Sequence, residues 1–347
     1  MPSLYSLIRP LVFALDAETA HDTALELLNS LHLLLPRSVP GKPVEVMGLK
    51  FANPVGLAAG LDKNGDYLPG LSRLGFGFIE IGTVTPRAQP GNPKPRLFRL
   101  VEQRSIINRL GFNNKGVDHL LHNLENYPRS GQIIGVNIGK NLTTPVEQAL
   151  DDYLLLMDRV YPLADYITVN ISSPNTPGLR KLQNDDELEH LLGAVVECRK
   201  RLADMHGFER PIALKIAPDL RPEAIAPIAE KITRHGIDAL IATNTTLDRR
   251  AVVDHPLAQQ AGGLSGCALR DKARDILVRF NRELAGSVPI ISAGGIDSVE
   301  EARLRLDLGA SLVQIYSALI FSGPQLVRRI ARGLAEDLST PGCVDKT

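Results

Sequence analysis

A chain of 347 residues, 44% hydrophobic and 22% charged, has the make-up of a globular protein of one large domain or two small ones. Its formal net charge is zero, which leaves no electrostatic footprint for nucleic acid. Cys198, Cys267 and Cys343 form no CxxC and no metal spacing, which argues against a zinc or iron–sulfur site and fits a reducing compartment, and no apolar run approaches the ~18 residues of a membrane span.

Residues 1–36 read as a helical element of their own. Leu4, Leu7, Ile8, Leu11, Val12 and Leu15 fall at helical spacing, with Pro10 expected to kink or divide the segment. Asp16 is placed to cap a second helix, with Ala24, Leu27, Leu28, Leu31, Leu34 and Leu35 on one wide stripe and Pro36 as its stop. Two helices this apolar must bury their faces on the main domain, on lipid, or around an apolar molecule. Arg9 and Arg37 stand against Asp16, Glu18, Asp22 and Glu26, so membrane contact is expected to be hydrophobic rather than electrostatic. No basic n-region precedes a cleavable apolar core, so secretion is not expected.

From residue 44 apolar strands alternate with amphipathic helices, the pattern of a parallel α/β fold. Val44–Val46 and Leu49–Phe51, turned at Gly48, predict a small hairpin closing a barrel floor. Strands are expected at Val55–Ala58, Phe78–Gly82, Ile133–Ile138, Tyr166–Asn170, Ile212–Ile216, Ala239–Thr243, Ile290–Ala293 and Leu312–Ile315. Helices are expected at Pro145–Val160, Asp186–Met205, Arg221–His235, Asp297–Leu308 and Pro324–Asp337. Eight such units predict an α/β fold of the (β/α)8 TIM-barrel type with an N-terminal helical extension. The organisation is then an extension over 1–43, a barrel over 44–338 and a mobile tail over 339–347.

In such a barrel the site lies at the C-terminal ends of the strands. Those ends are unusual here: Ala59-Gly60-Leu61-Asp62-Lys63, Gly82-Thr83, Val136-Asn137, Leu214-Lys215, Ala242-Thr243-Asn244-Thr245, Gly294-Gly295 and Tyr316-Ser317. The fourth strand runs into Asn170-Ile171-Ser172-Ser173-Pro174-Asn175-Thr176-Pro177-Gly178, whose prolines stiffen the loop that aims Ser173 and its flanking amides. No His or Asp sits beside Ser173, so a Ser-His-Asp hydrolase is not the obvious reading. A long second loop adds Asn108-Arg109-Leu110-Gly111-Phe112. Two lysines and several amides converge on one mouth with hardly a carboxylate besides Asp62, which suits a neutral, planar ligand rich in N–H and C=O groups. Turns and solvated lysines would explain each piece singly, but not the set.

The ends of strands seven and eight commonly bind phosphate in these barrels, and Gly262-Gly263-Leu264-Ser265-Gly266 would add backbone N–H groups. No strand-GxGxxG-helix fingerprint is present, so FMN fits better than a dinucleotide.

Together Ala59–Lys63, Asn108–Asn114, Asn170–Arg180 and the Asn244-Thr245 pair resemble the dihydroorotate dehydrogenase family, in its class 2, quinone-dependent branch, over nearly the whole chain. The resemblance implies FMN against Ala59, Gly60, Leu61, Asp62, Lys63, Thr83, Asn137, Asn170, Lys215, Thr243, Gly266, Gly295, Tyr316 and Ser317. It implies dihydroorotate or orotate against Lys63, Asn108, Arg109, Leu110, Gly111, Phe112, Asn170, Asn175, Asn244 and Thr245, with Ser173 as catalytic base. A serine base together with a helical extension points to class 2, since class 1 carries a cysteine and lacks the extension. His21 and Arg99 match positions near the quinone head group, or are an ordinary helix histidine and strand arginine. A membrane quinone is the implied acceptor, with a soluble acceptor such as fumarate, or a catalytically silent flavin-binding module, as the alternatives. The expected placement is peripheral, on the cytoplasmic face of the inner membrane in a bacterium, through the N-terminal helices. The expected working unit is a monomer, with no metal and no nucleic acid.

Overall fold

Strands rich in Val, Ile and Leu, buried on both faces, close on themselves when helices cover the outside. In the computed structural model, which describes residues 4–36, 39–129 and 131–336, they form a closed eight-stranded parallel barrel. Arg37, Cys343 and the expected tail 339–347 lie outside the described residues.

The strands in chain order are β1 (Val44–Val46), β2 (Leu49–Phe51), β3 (Val55–Leu57), β4 (Phe78–Val84), β5 (Leu97–Leu100), β6 (Ser105–Asn108), β7 (Ile133–Ile138), β8 (Tyr166–Asn170), β9 (Ile212–Ile216), β10 (Ala239–Ala242), β11 (Gly263–Gly266), β12 (Ile290–Ala293) and β13 (Ala310–Ile315). The barrel runs β3-β4-β7-β8-β9-β10-β12-β13 and returns to β3, every neighbour parallel. The antiparallel hairpin β1–β2 contributes Phe51 and packs Val44, Val46 and Leu49 against an interior cluster of Phe78, Tyr166, Ile241, Ile291 and Leu312, so it does floor the barrel. Two barrel glycines are steric necessities. A Cβ on Gly56 would lie 2.1 Å from the Phe78 ring, and one on Gly135 the same distance from the Tyr166 ring.

Three departures from the sequence reading bear on the site. First, β5, β6 and β11 form a separate three-stranded antiparallel sheet over the strand-end mouth. The segment expected to add backbone N–H groups, residues 262–266, is a strand from Gly263 on, Gly263 pairing with Asn108 and Gly266 with Ser105. Second, helix α1 (Leu4–Ala14) is not divided at Pro10. It is held near both ends: Tyr5 Oη donates to the Ile320 carbonyl, Arg9 to the Phe321 carbonyl, and Arg99 to the carbonyls of Phe13 and Leu15. Third, helix α2 (Ala17–Ser30) ends well before Pro36 and gives way to a 3₁₀ turn at His32–Leu34. The Ser30 hydroxyl bonds back to the Glu26 carbonyl, a local competitor of helix continuation. The expected cap holds, since the Asp16 carboxylate accepts from the N–H groups of Glu18 and Thr19.

Helix α2 is stitched to the barrel by polar contacts as well as leucines. Glu18 forms a buried two-pronged pair with Arg96, at 2.6 and 3.0 Å, and Arg96 also donates to the carbonyls of Pro90 and Asn92. The Asn29 side chain accepts from Gly70 N–H at 3.1 Å. Among the described residues no helix is long and apolar enough to cross a membrane.

Candidate active site

The strand ends and the small sheet enclose a cleft of about 1120 Å³ open to solvent. Its walls include Ala59, Gly60, Lys63, Thr83, Asn108, Leu110, Gly111, Phe112, Asn170, Ser173, Asn175, Lys215, Thr243, Asn244, Thr245, Gly266, Gly295, Tyr316 and Ser317. One cavity thus gathers most of the residues singled out from sequence, from strand ends scattered along the barrel.

Ser173 is buried to 5% exposure, and its Oγ accepts the Asn175 N–H at 3.2 Å. The amides around it are linked to one another. Asn175 donates to Asn108 at 3.1 Å, and Asn244 donates to Asn170 at 3.3 Å and to the Ser172 hydroxyl at 3.0 Å. Asn170 in turn donates to Thr83 and to Asn137. Such a chain fixes which end of each amide faces the cleft. Thr245 and Gln314 belong to the cleft walls, and among the described residues the Gln314 carbonyl oxygen and the Thr245 hydroxyl, which is turned toward Gly263, are buried with no hydrogen-bond partner. Buried polar atoms of this kind call for a partner, which a polar ligand would supply.

The cations behave differently. Lys215 is buried and burial lowers its pKa, opposed only by Glu80, whose carboxylate lies 3.9 Å from Nζ. Burial also draws Lys63 down to about 8. Among the described residues the cleft walls carry one carboxylate, Asp297, and a further acid that the sequence reading did not mark, Glu80, lies behind them. It is fully buried beneath the cleft and accepts from Asn137 at 2.8 Å, Tyr166 at 3.0 Å and Gln314 at 2.8 Å. Placed mid-strand in Phe78-Ile79-Glu80-Ile81, it had no motif to mark it; a lone acid within an apolar strand was the available signal. Arg104, Cys267 and Asp297 also line the cleft and were not anticipated.

Four anticipated residues are not on the walls. Asp62 turns back to accept from the N–H groups of Asn64, Asp66 and Tyr67, so it braces its own loop, and burial raises its pKa to about 6. Leu61 packs into the hydrophobic core. Asn137 lies behind the wall, holding Thr83 at 2.5 Å and Glu80. Arg109 is spent on Gln260 and the Pro95 carbonyl and stacks over Phe98.

A second cavity of about 800 Å³ lies under α2, lined by Glu18, His21, Asp22 and Glu26 from that helix. It shares Lys63, Leu110 and Tyr316 with the main cleft, so a wall one side chain thick separates the two. His21 faces this second space, and burial, followed by the nearby Lys63 charge, pulls its pKa to about 4. Arg99 is committed to the carbonyls at the end of α1 and lies over the Phe13 ring, 4.6 Å from its centroid. Among the described residues no group of three or more His, Cys, Asp or Glu side chains is arranged to hold a metal ion.

Comparison with known proteins adds a family. The family described as dihydroorotate dehydrogenase matches residues 43–338. A protein from Chromobacterium violaceum named dihydroorotate dehydrogenase (quinone) is 56% identical over 340 residues, spanning 96% of this chain and 98% of its own length. One of the same name from Thiobacillus denitrificans is 56% identical over 338 residues, spanning 96% and 100%. A crystal structure of DHODH from Eimeria tenella in complex with ferulenol superposes with a TM-score of 0.86 at 36% identity, covering 93% of each chain.

Proposed function

The chain belongs to the dihydroorotate dehydrogenase family, in its quinone-dependent branch, and from that premise we propose that it oxidises (S)-dihydroorotate to orotate in pyrimidine biosynthesis, with FMN as cofactor and a membrane quinone as acceptor. The observation that carries this reading is the convergence of Ser173, Lys63 and the linked asparagines on one cleft that also holds unpartnered buried polar atoms.

The donor set fits FMN. Gly266, Gly294, Gly295 and Ser317 gather at one end of the cleft, where backbone can approach a phosphate closely. Ala59 and Gly60 would present little bulk to a flat ring, and Lys215 would offer it a buried cation. Bound there, FMN supplies the two-electron acceptor for a hydride and passes electrons onward.

The chain's own residues do the rest. Lys63 holds the substrate carboxylate as a charge-assisted pair. Asn108, Asn170, Asn175 and Asn244 read the ring amides and fix its orientation, with Thr245 on the same wall. Ser173 Oγ removes the proton from C5 as C6 gives up its hydride. Oγ already accepts the Asn175 N–H, which orients it and lowers the cost of negative charge on oxygen. A hydroxyl still needs its own proton to leave, so a relay through water or a threonine hydroxyl is part of the step.

The quinone arrives between the two N-terminal helices, near His21 of α2 and near Arg99, which grips the carbonyls at the end of α1. Leu7, Leu11, Leu33 and Leu34, each at least 65% exposed, form the surface that meets the bilayer. The protein is then peripheral and, if the chain is bacterial, on the cytoplasmic face of the inner membrane. The test is an assay of ubiquinone against fumarate as acceptor with dihydroorotate as donor. Quinone-specific turnover is expected, and turnover with fumarate alone would sink the reading.

A further inference from the structure

The Ser173 loop is held from behind by a group outside the cleft. Arg180, in the 3₁₀ turn Leu179–Gln183, donates Nε to the Ser172 carbonyl at 3.0 Å and Nη2 to the Thr245 carbonyl at 2.8 Å. Its Nη1 donates to Asp219 at 2.9 Å. One planar guanidinium therefore ties the residue before Ser173 to the backbone of Thr245, a use of fork geometry that a lysine cannot copy. Asp219 is itself a hub. Its other partners are Lys272 at 2.6 Å, the Thr246 hydroxyl and the Leu247 N–H, so it knits together the loops after β8, β9 and β10. Gln183 makes a parallel tie from Ile171 carbonyl to Ala217 N–H. Arg180 and Asp219 are about one-fifth exposed, shielded enough for the pair to persist. Neither lines the cleft.

We propose that Arg180, braced by Asp219, is a positioning residue that sets Ser173 and Thr245 against each other across the substrate. This rests on the dihydroorotate reading above. The clasp then acts on the substrate half of the reaction and leaves the quinone half alone, because the bonds of Arg180 and Asp219 run to the loops after β8 and β10 and to Lys272, and not to the N-terminal helices.

The experiment uses the FMN-loaded full chain and the variants Arg180→Gln, Arg180→Lys and Asp219→Asn. Reduction by dihydroorotate and reoxidation by a ubiquinone analogue are timed separately under anaerobic conditions, and orotate binding is measured by calorimetry alongside FMN content. Arg180→Gln should slow reduction by about tenfold to a hundredfold, the scale of a misplaced catalytic group. Orotate affinity should fall with it, while reoxidation and FMN content stay within about twofold. Arg180→Lys and Asp219→Asn should lie between wild type and Arg180→Gln, which keeps the question answerable if the Gln variant folds poorly. Equal losses in both half-reactions, or no loss in reduction and orotate binding, overturn the clasp alone. A wild-type chain that dihydroorotate does not reduce overturns the functional reading and the clasp with it.

Discussion

The mouth of the barrel and the N-terminal helix pair are built on opposite plans. At the mouth, side chains are buried, polar and mutually bonded, from Asn108–Asn175 through Asn244–Asn170 to Asn137–Glu80. In the helix pair large leucines face outward, and the polar attachments lie on the inner side, among them Glu18–Arg96, Glu18–Lys94, Asn29–Gly70, Asn29–Asp66 and the carbonyls gripped by Tyr5, Arg9 and Arg99. The first plan suits a small polar molecule that must be held in one orientation. The second suits an apolar one that arrives from a lipid phase. Lys63, Leu110 and Tyr316 separate the mouth from a polar cavity under α2, and the outward leucines lie on neither. On the proposed reading, a polar donor and an apolar acceptor would use these two regions without sharing a binding surface.

Changes on one side should spare the other. The largest effect is expected at the mouth. Ser173→Ala should retain FMN and bind orotate but slow anaerobic reduction by roughly 10²–10⁴-fold, the range for loss of a general base. Near-normal reduction in that variant would remove Ser173 from the mechanism. Next comes the joint between the regions. Glu18→Ala leaves Arg96 buried without its carboxylate, and breaking such a pair costs about 3 kcal/mol. Urea denaturation should show a lower midpoint, and an unchanged midpoint would mean that α2 is fixed by its leucines alone.

The outer face should give a more selective effect. Leu11→Ser with Leu34→Ser removes two side chains that are 74% and 79% exposed, so folding should hardly notice. Co-sedimentation with liposomes should drop by about tenfold or more, given about 1–2 kcal/mol per apolar side chain buried in lipid. Turnover with a small soluble dye should persist. Undiminished liposome binding would place the membrane surface elsewhere. The smallest effect is in pH. Because burial brings Lys63 down to about 8, its charge is present at neutral pH and lost as pH rises through about 8. Dihydroorotate affinity should weaken by about tenfold per pH unit above that point, and Lys63→Arg should flatten the profile.

The sequence made the barrel legible because a buried parallel strand is a short, mostly apolar run rich in β-branched residues. Ile133–Ile138, Tyr166–Asn170, Ile212–Ile216 and Ile290–Ala293 fall where their composition puts them. The small sheet was hidden for the converse reason. Gly263-Leu264-Ser265-Gly266 has little strand propensity, and it becomes a strand by pairing with Ser105–Asn108, more than 150 residues earlier in the chain. The site was legible wherever a polar residue ends a strand, as at Asn170, Lys215 and Asn244. It was not legible where the side chain's direction decides the matter. Asp62 and Lys63 are neighbours, yet one braces its own loop and the other lines the cleft. Glu80 lies below the cleft and Arg180 behind it, and only the folded chain brings them to the site.

The separation of the two regions is tested most directly by anaerobic mixing of the intact protein with dihydroorotate, with and without liposomes, while flavin absorbance is followed. The account predicts a yellow protein that bleaches at the same rate in both conditions, with reoxidation by a long-chain quinone accelerated only when liposomes are present. A chromophore that dihydroorotate leaves unbleached, or one whose bleaching itself depends on lipid, would contradict it.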